Sequence, residues 1–165
     1  MASGDRLPFH AGSFDIVYAN SLLEDVEEWD QCLREWIRIL APGGLLWVET
    51  TNVLCSRQGE FRWLRLYSWW PLAVKRLAVR AARGPFPALV NDAPCPALHW
   101  FCFFQLEPWF MARGLVIGGR FDCLDTAAAG SVKRMIRKLV LSSRPARYLA
   151  YVLISPLVVV ATRPA

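Results

Sequence analysis

The sequence predicts an α/β fold, and three observations carry that prediction. Phe14–Ala19 and Leu45–Thr50 are β-branched and aromatic runs of strand length. Between them Leu33, Trp36, Ile37 and Leu40 recur at helical spacing and form one apolar stripe. Near the end, Leu157 to Ala161 is an unbroken aliphatic run, the pattern of a strand covered on both faces. Strand, helix, strand in this order is a βαβ unit, which implies parallel pairing and a right-handed crossover.

Each element has a local reason. The turn-like "HAGS" precedes the first strand. The acidic stretch after it leads into the helix: Asp25 with Glu28 three residues later fits a capping box, and Asp30 is a second cap candidate. Acids there also suit the positive end of the helix dipole. Pro42-Gly43-Gly44 ends the helix, because glycine takes up the left-handed conformation that closes it, and the second strand follows at Leu45. Downstream, Leu72–Arg83 is a basic amphipathic helix after Pro71, and the four prolines between Pro85 and Pro96 make a loop. A helix resumes around "HWFCFFQLEPWFMARG", with Pro108 expected in its first turn. Leu115–Phe121 reads as a third strand, weakened or bulged at Gly118-Gly119. Ser131 is expected to cap a basic helix running to Leu141 or beyond.

Composition narrows the class. With 165 residues the chain is read as one domain: a βαβ core over 1–52, an aromatic and basic insertion over 53–103, and helices with the last two strands over 104–165. Seven basic residues between Arg57 and Arg83 face the single acid Glu60, and six more between Lys133 and Arg147 face none. Such a second half suits phosphate, an acidic lipid surface or nucleic acid. Five cysteines without a Cys-x-x-Cys pair, and no basic-then-apolar leader, point to reduced thiols in a cytoplasmic protein. Two histidines supply no zinc ligand set, so no metal is expected. The uncharged run Tyr148–Thr162 is shorter than the ~20 residues of a membrane span and is split by Pro156. It reads as a helix end and a buried strand, Leu157–Ala161.

Read together, "LPFHAGSFDIVYANSLLEDV" and "LREWIRILAPGG" resemble the central motifs of class I methyltransferases that use S-adenosyl-L-methionine, in particular the methyltransferase type 11 group. In that group a Leu-Pro-Phe turn, a Ser-Phe-Asp strand start and an Arg-x-Leu-x-Pro-Gly-Gly joint follow one another in this order. "TTNVLCSRQGEF", "LYSWWP" and "HWFCFFQL" look like the extension of a subset of these enzymes. The resemblance implies a Rossmann-like sheet of order 3-2-1-4-5-7-6 with strand 7 antiparallel. The four strands here are then 4 (Phe14–Ala19), 5 (Leu45–Thr50), 6 (Leu115–Phe121) and 7 (Leu157–Ala161), a contiguous C-terminal half ordered 4-5-7-6. Strand 1, its glycine-rich turn and the acid after strand 2 have no counterpart in the sequence, and neither Gly43-Gly44 nor Gly118-Gly119 opens a helix after a strand.

The resemblance also implies candidate residues. Asp5 and Leu7 correspond to the segment that packs against the adenine, and Asn20 and Ser21 follow strand 4, where they would border the methionine part of the cofactor. Asp25 stands where the family often has histidine, so helix capping is the better reading of it, and Asp15 is read as structural. His99 and Tyr67 are acceptor-side candidates set against the simpler role of buried aromatics. No catalytic residue is assigned, because methyl transfer from a sulfonium needs alignment more than acid–base groups. The Arg57–Arg83 stretch is the candidate acceptor side for a small-molecule or lipid-linked acceptor and for peripheral membrane contact. Nucleic acid fits less well, since no binding module is recognisable. An unpaired apolar edge at Phe14–Ala19 would favour a protein partner, the alternative being a truncated half that is inactive alone and binds another chain.

Overall fold

The computed structural model describes residues 4, 6–55, 67–86, 97–123 and 130–165. Four strands, β1 (Phe14–Asn20), β2 (Leu40–Thr50), β3 (Val116–Gly119) and β4 (Leu157–Thr162), form one mixed sheet in the order β1-β2-β4-β3. β1 and β2 are parallel, and β4 runs antiparallel to β2 and β3. This is the 4-5-7-6 arrangement expected from the sequence. The helices are α1 (Trp29–Ile39), α2 (Leu72–Arg83), α3 (Phe103–Met111), α4 (Ser131–Leu141) and α5 (Arg144–Leu153).

Because side chains alternate along a strand, the register sorts the sheet into two faces. Val17, Ala19, Leu46, Val48, Val159, Ala161 and Ile117 lie on one face and join a single core with Leu33 and Trp36 of α1, Phe103, Leu106 and Phe110 of α3, Val140 of α4 and Tyr151 of α5. Fully burying a side chain such as Leu33 or Leu46 contributes roughly 1.5–3 kcal/mol. The opposite face is different. Ile16 and Tyr18 of β1 are 67% and 61% exposed, and Val116 of β3 is exposed as well.

The Pro-Gly-Gly joint is more compact than the sequence suggests. α1 ends at Ile39 and β2 begins at once with Leu40, so Ala41-Pro42-Gly43-Gly44 belongs to the strand as a bulge. Phe14 pairs with Leu40 and Ile16 with Leu45, so two steps on β1 match five on β2. Gly43 has a φ of +76°, and a Cβ on Gly44 would lie 2.8 Å from the Ala41 carbonyl oxygen and 3.0 Å from that of Asp15. Arg163 straps the bulge: Gly43 donates to its carbonyl, its N–H donates to Gly44, and its guanidinium donates to the Leu40 carbonyl at 2.7 Å.

Other local expectations need correction. Neither Asp25 nor Asp30 caps α1; the N-cap is Glu28, with no side-chain cap bond, and Asp30 instead accepts from Arg34 at 2.6 Å and from the Trp109 indole at 2.6 Å. Asp25 sits in the turn before the helix, donating from its N–H to Leu22 at 3.2 Å. Pro108 is the sixth residue of α3, not a first-turn residue, because α3 starts only at Phe103. β3 stops at Gly119 in place of bulging, since Asp122 turns back to accept from the Gly119 N–H at 2.7 Å. Gly130, not Ser131, is the N-cap of α4, and Ser143 caps α5 by accepting from Ala146. The described cysteines Cys32, Cys55, Cys102 and Cys123 are free thiols. Cys95 lies outside the described residues. Among the described residues, no helix is long and apolar enough to cross a membrane.

Candidate active site

Two parallel strands joined by a crossover helix leave their carboxyl ends side by side, and these ends are where an open α/β sheet presents ligand-binding loops. Here they are Asn20 of β1 and Glu49-Thr50 of β2. The chain leaves β1 through Ser21, whose φ of +48° is uncommon for a non-glycine residue. Two contacts hold it there: its N–H donates to the Glu49 carbonyl at 2.9 Å, and its hydroxyl donates to Asn20 Oδ1 at 3.2 Å. Asn20 and Ser21 are both exposed, so the pair forms a polar ledge at the strand end.

Behind the ledge lies a buried polar set. Glu24 is only 6% exposed, and Thr50 Oγ1 donates to its Oε2 at 2.5 Å. The Glu24 carbonyl accepts from the N–H groups of Leu98 and His99, and Thr51 donates to the His99 carbonyl at 2.9 Å. Residues 97–101 are thereby tied to the end of β2, an attachment continued by the Asn52–Phe101 bridge. Burial pushes the Glu24 carboxyl above the ordinary carboxylate range. Burial, then the nearby Arg76 and Lys75 charges, push His99 below the ordinary imidazole range. Both groups are thus biased to their neutral forms. On the far side, Lys75 of α2 is buried, with Nζ 5.7 Å from the Tyr67 ring centre and 5.3 Å from that of Trp100. A separate cleft of about 330 Å³ adjoins Glu49 on the opposite sheet face, lined by Trp47, Arg120, Cys123, Pro156 and Val158.

The sequence-derived candidates separate. Asn20 and Ser21 are neighbours at the strand ends, and His99 joins the adjacent polar set. Tyr67 is fully buried against Trp70 and Trp100. Asp5 lies outside the described residues. Leu7 is held near the start of β1, at the other end of the strand from Ser21, by a clamp that the sequence reading missed. The Leu7 N–H donates to Glu35 Oε1 at 2.9 Å, Arg38 Nη2 donates to the Phe9 carbonyl at 2.8 Å, and Arg38 closes on Glu35 through Nε at 2.8 Å. The Leu-Pro-Phe turn and the arginine of the Arg-x-Leu-x-Pro-Gly-Gly joint are therefore one interaction. The signal was the Glu35/Arg38 spacing, which puts both on one helix face. Glu24 and Asn52 were also missed; Asn52, fully buried, donates to the carbonyls of Tyr151 and Ile154 at 2.7 and 2.6 Å and fastens α5 to β2.

Two outcomes follow from these pairs. Chiefly because Arg38 donates to it, the Glu35 carboxyl is held down at about 2. A depressed carboxylate stabilises the fold above its unfolded value and loses that contribution as pH falls. Arg38→Met is expected to be less stable than the parent at pH 7 by urea denaturation, with the gap narrowing from pH 4.5 towards pH 2. Glu24 has the opposite sign: its raised value makes stability fall as pH rises through it. Glu24→Gln keeps an acceptor for Thr50 and is expected to melt higher than the parent at pH 7, the difference closing near pH 4.5.

The family model described as a methyltransferase domain matches residues 1–48. That match covers less than a third of the chain. Over 48 residues the chain is 50% identical to the demethylmenaquinone methyltransferase of Parafrankia sp. (strain EAN1pec), covering 28% of this chain and 19% of the relative. The chain therefore spans about a fifth of the length of that curated relative. In fold the domain is similar to an S-adenosylmethionine dependent methyltransferase from Mesorhizobium loti, with a TM-score of 0.52 at 21% identity, covering 98% of this chain and 67% of that one. It is also similar to the YcgJ protein of Bacillus subtilis, with a TM-score of 0.51 at 13% identity, covering 99% and 70%. The fold, a mixed four-stranded sheet with helices, matches these Rossmann-like structures. The fit of the described residues to S-adenosylmethionine is partial. Ser21 and Asn20 offer polar atoms at the strand end, but the sequence has no strand followed by a glycine-rich turn to cradle a nucleotide.

Proposed function

We propose that this chain is the acceptor-side part of an S-adenosylmethionine-dependent methyltransferase acting on a small or lipid-linked acceptor. The observation that carries the reading is the left-handed Ser21 at the carboxyl end of β1, held beside Glu49 and next to a polar set biased to be neutral. Methyl transfer from a sulfonium is an in-line displacement in which the protein aligns the acceptor and excludes water. A neutral His99 is suited to receive a proton from a hydroxyl or ammonium acceptor, and Thr51 and the Glu24 main chain hold the segment that carries it. A lipid-linked acceptor is favoured by α2, whose exposed face combines Leu77 with Arg76 and Arg80 beside the aromatic group around Lys75. The curated relative is matched over only 48 residues, so its named substrate says little about the acceptor here.

The test is a titration of the isotopically labelled chain with S-adenosylmethionine, followed by amide shifts. Weak binding, on the order of millimolar, is expected, with shifts centred on Asn20 to Leu23. An absence of shifts there would sink the reading, and so would displacements confined to another surface. A second reading, a half-domain that binds a partner, is favoured by one observation: Ile16 and Tyr18 on the terminal strand β1 are exposed. It calls for an oligomeric or poorly soluble chain; a monodisperse monomer in sedimentation velocity would count against it.

A further inference from the structure

α4 is built the wrong way round for a helix that only supports a core. Val132, Met135, Ile136 and Leu139 follow the i, i+3, i+4, i+7 spacing of an apolar helix face. In a supporting helix that face would be buried, yet these four side chains are 48–66% exposed, and Val140 is the residue α4 buries. Four further positions are basic: Lys133, Arg134 and Lys138 are exposed, while Arg137 turns inward and donates to the Phe121 carbonyl at 2.8 Å. No acidic residue follows Asp125 anywhere in the sequence. α5, which packs on α4, exposes Tyr148, Leu149 and Leu153 as well.

We propose that α4 lies on an anionic lipid surface, its apolar face sunk into the headgroup boundary and Lys133, Arg134 and Lys138 on the lipid phosphates. A helix with a wide apolar stripe and a cationic remainder matches that environment on both counts. A second copy of the chain matches the apolar stripe but not the charge, because two α4 helices face to face would set cation against cation. This surface is distinct from the α2 face and does not depend on methyl transfer; its binding is read without a cofactor.

The experiment is cosedimentation of the full chain with vesicles of phosphatidylcholine alone and of phosphatidylcholine mixed with phosphatidylglycerol. Binding to the mixed vesicles only is expected. Removing the three charges together (Lys133→Gln, Arg134→Gln, Lys138→Gln) is expected to lower partition by roughly a hundredfold, about fivefold per charge. Leu139→Glu is expected to lower it by about tenfold or more. Both substitution sets fall on exposed positions, and circular dichroism will show the fold retained. Met111→Glu, at an exposed position of α3, is expected to change partition by less than about twofold. Equal binding to both vesicle types, no binding, or loss with Met111→Glu but not with Leu139→Glu would each overturn the proposal. So would a dimer in sedimentation velocity that Leu139→Glu dissolves while vesicle binding is absent.

Discussion

Gly119→Ala is expected to destabilise the chain by about 3 kcal/mol, and Tyr151→Phe in the same chain to recover part of that loss. A Cβ built on Gly119 falls on the Tyr151 hydroxyl and lies 3.0–3.1 Å from two ring carbons of Phe103. Neither ring can swing away. Tyr151 is 1% exposed, stacks on Phe103 with centroids 5.5 Å apart, and meets Phe121 edge-on at 5.6 Å. Its hydroxyl has no hydrogen-bond partner among the described residues, and burial raises its pKa strongly. Tyr151→Phe alone should therefore be close to neutral, because it removes a polar atom that is already unsatisfied. In the double variant the hydroxyl clash is gone and only the Phe103 contact remains. Urea denaturation of the four chains of this cycle gives the coupling, expected at about 1–2 kcal/mol. An additive result would show that Tyr151 does not occupy the space above Gly119.

The second large effect is at the strand entry. Gly44→Ala is expected to cost about 2–4 kcal/mol, whereas Gly43→Ala should cost about 1–2 kcal/mol. The adjacent glycines are needed for different reasons. At Gly43 a side chain meets nothing within 4 Å, and the cost is the left-handed backbone at φ +76°. At Gly44 the Cβ would come within 2.8 and 3.0 Å of the carbonyl oxygens of Ala41 and Asp15, and 2.9 Å from Leu40 Cδ1. Two of those neighbours are main chain of the paired strands, so relief requires moving β1 against β2. Thermal melts of the two single variants will rank them. Equal losses would mean that the bulge yields easily and that both glycines serve only backbone conformation.

The sequence carried the sheet further than it carried the site. Strand order was readable because the Leu-Pro-Phe, Ser-Phe-Asp and Pro-Gly-Gly motifs lie in register and because Leu157–Ala161 is aliphatic throughout. α2 was found to the residue, since Pro71 marks its start and Lys75, Val79 and Ala82 repeat at the spacing of its buried face. Elements were misjudged where tertiary contacts outweigh local preference. Pro108 lies inside α3 because Phe103, Leu106 and Phe110 must all reach the core, and that packing sets where the helix begins. Asp30 gives up a capping role because the Trp109 indole and Arg34 both reach it. The polar set at the strand ends was the least legible. Glu24, Thr50 and His99 are far apart in sequence, and nothing in "LLED" distinguishes a buried carboxyl from a solvated one.

The sheet that packs helices on one face while leaving Ile16, Tyr18 and Val116 uncovered has a thermodynamic signature. Side chains already exposed in the folded chain, such as Ile16 at 67% and Val116 at 66%, add little to the surface that unfolding uncovers. Unfolding then uncovers less new surface than the chain length suggests. The dependence of unfolding free energy on urea and the heat-capacity increment both scale with that newly uncovered surface. Each should fall below the norm for 165 residues, giving a shallow urea transition and a flat stability curve. A ligand or partner that covers the bare face would steepen both.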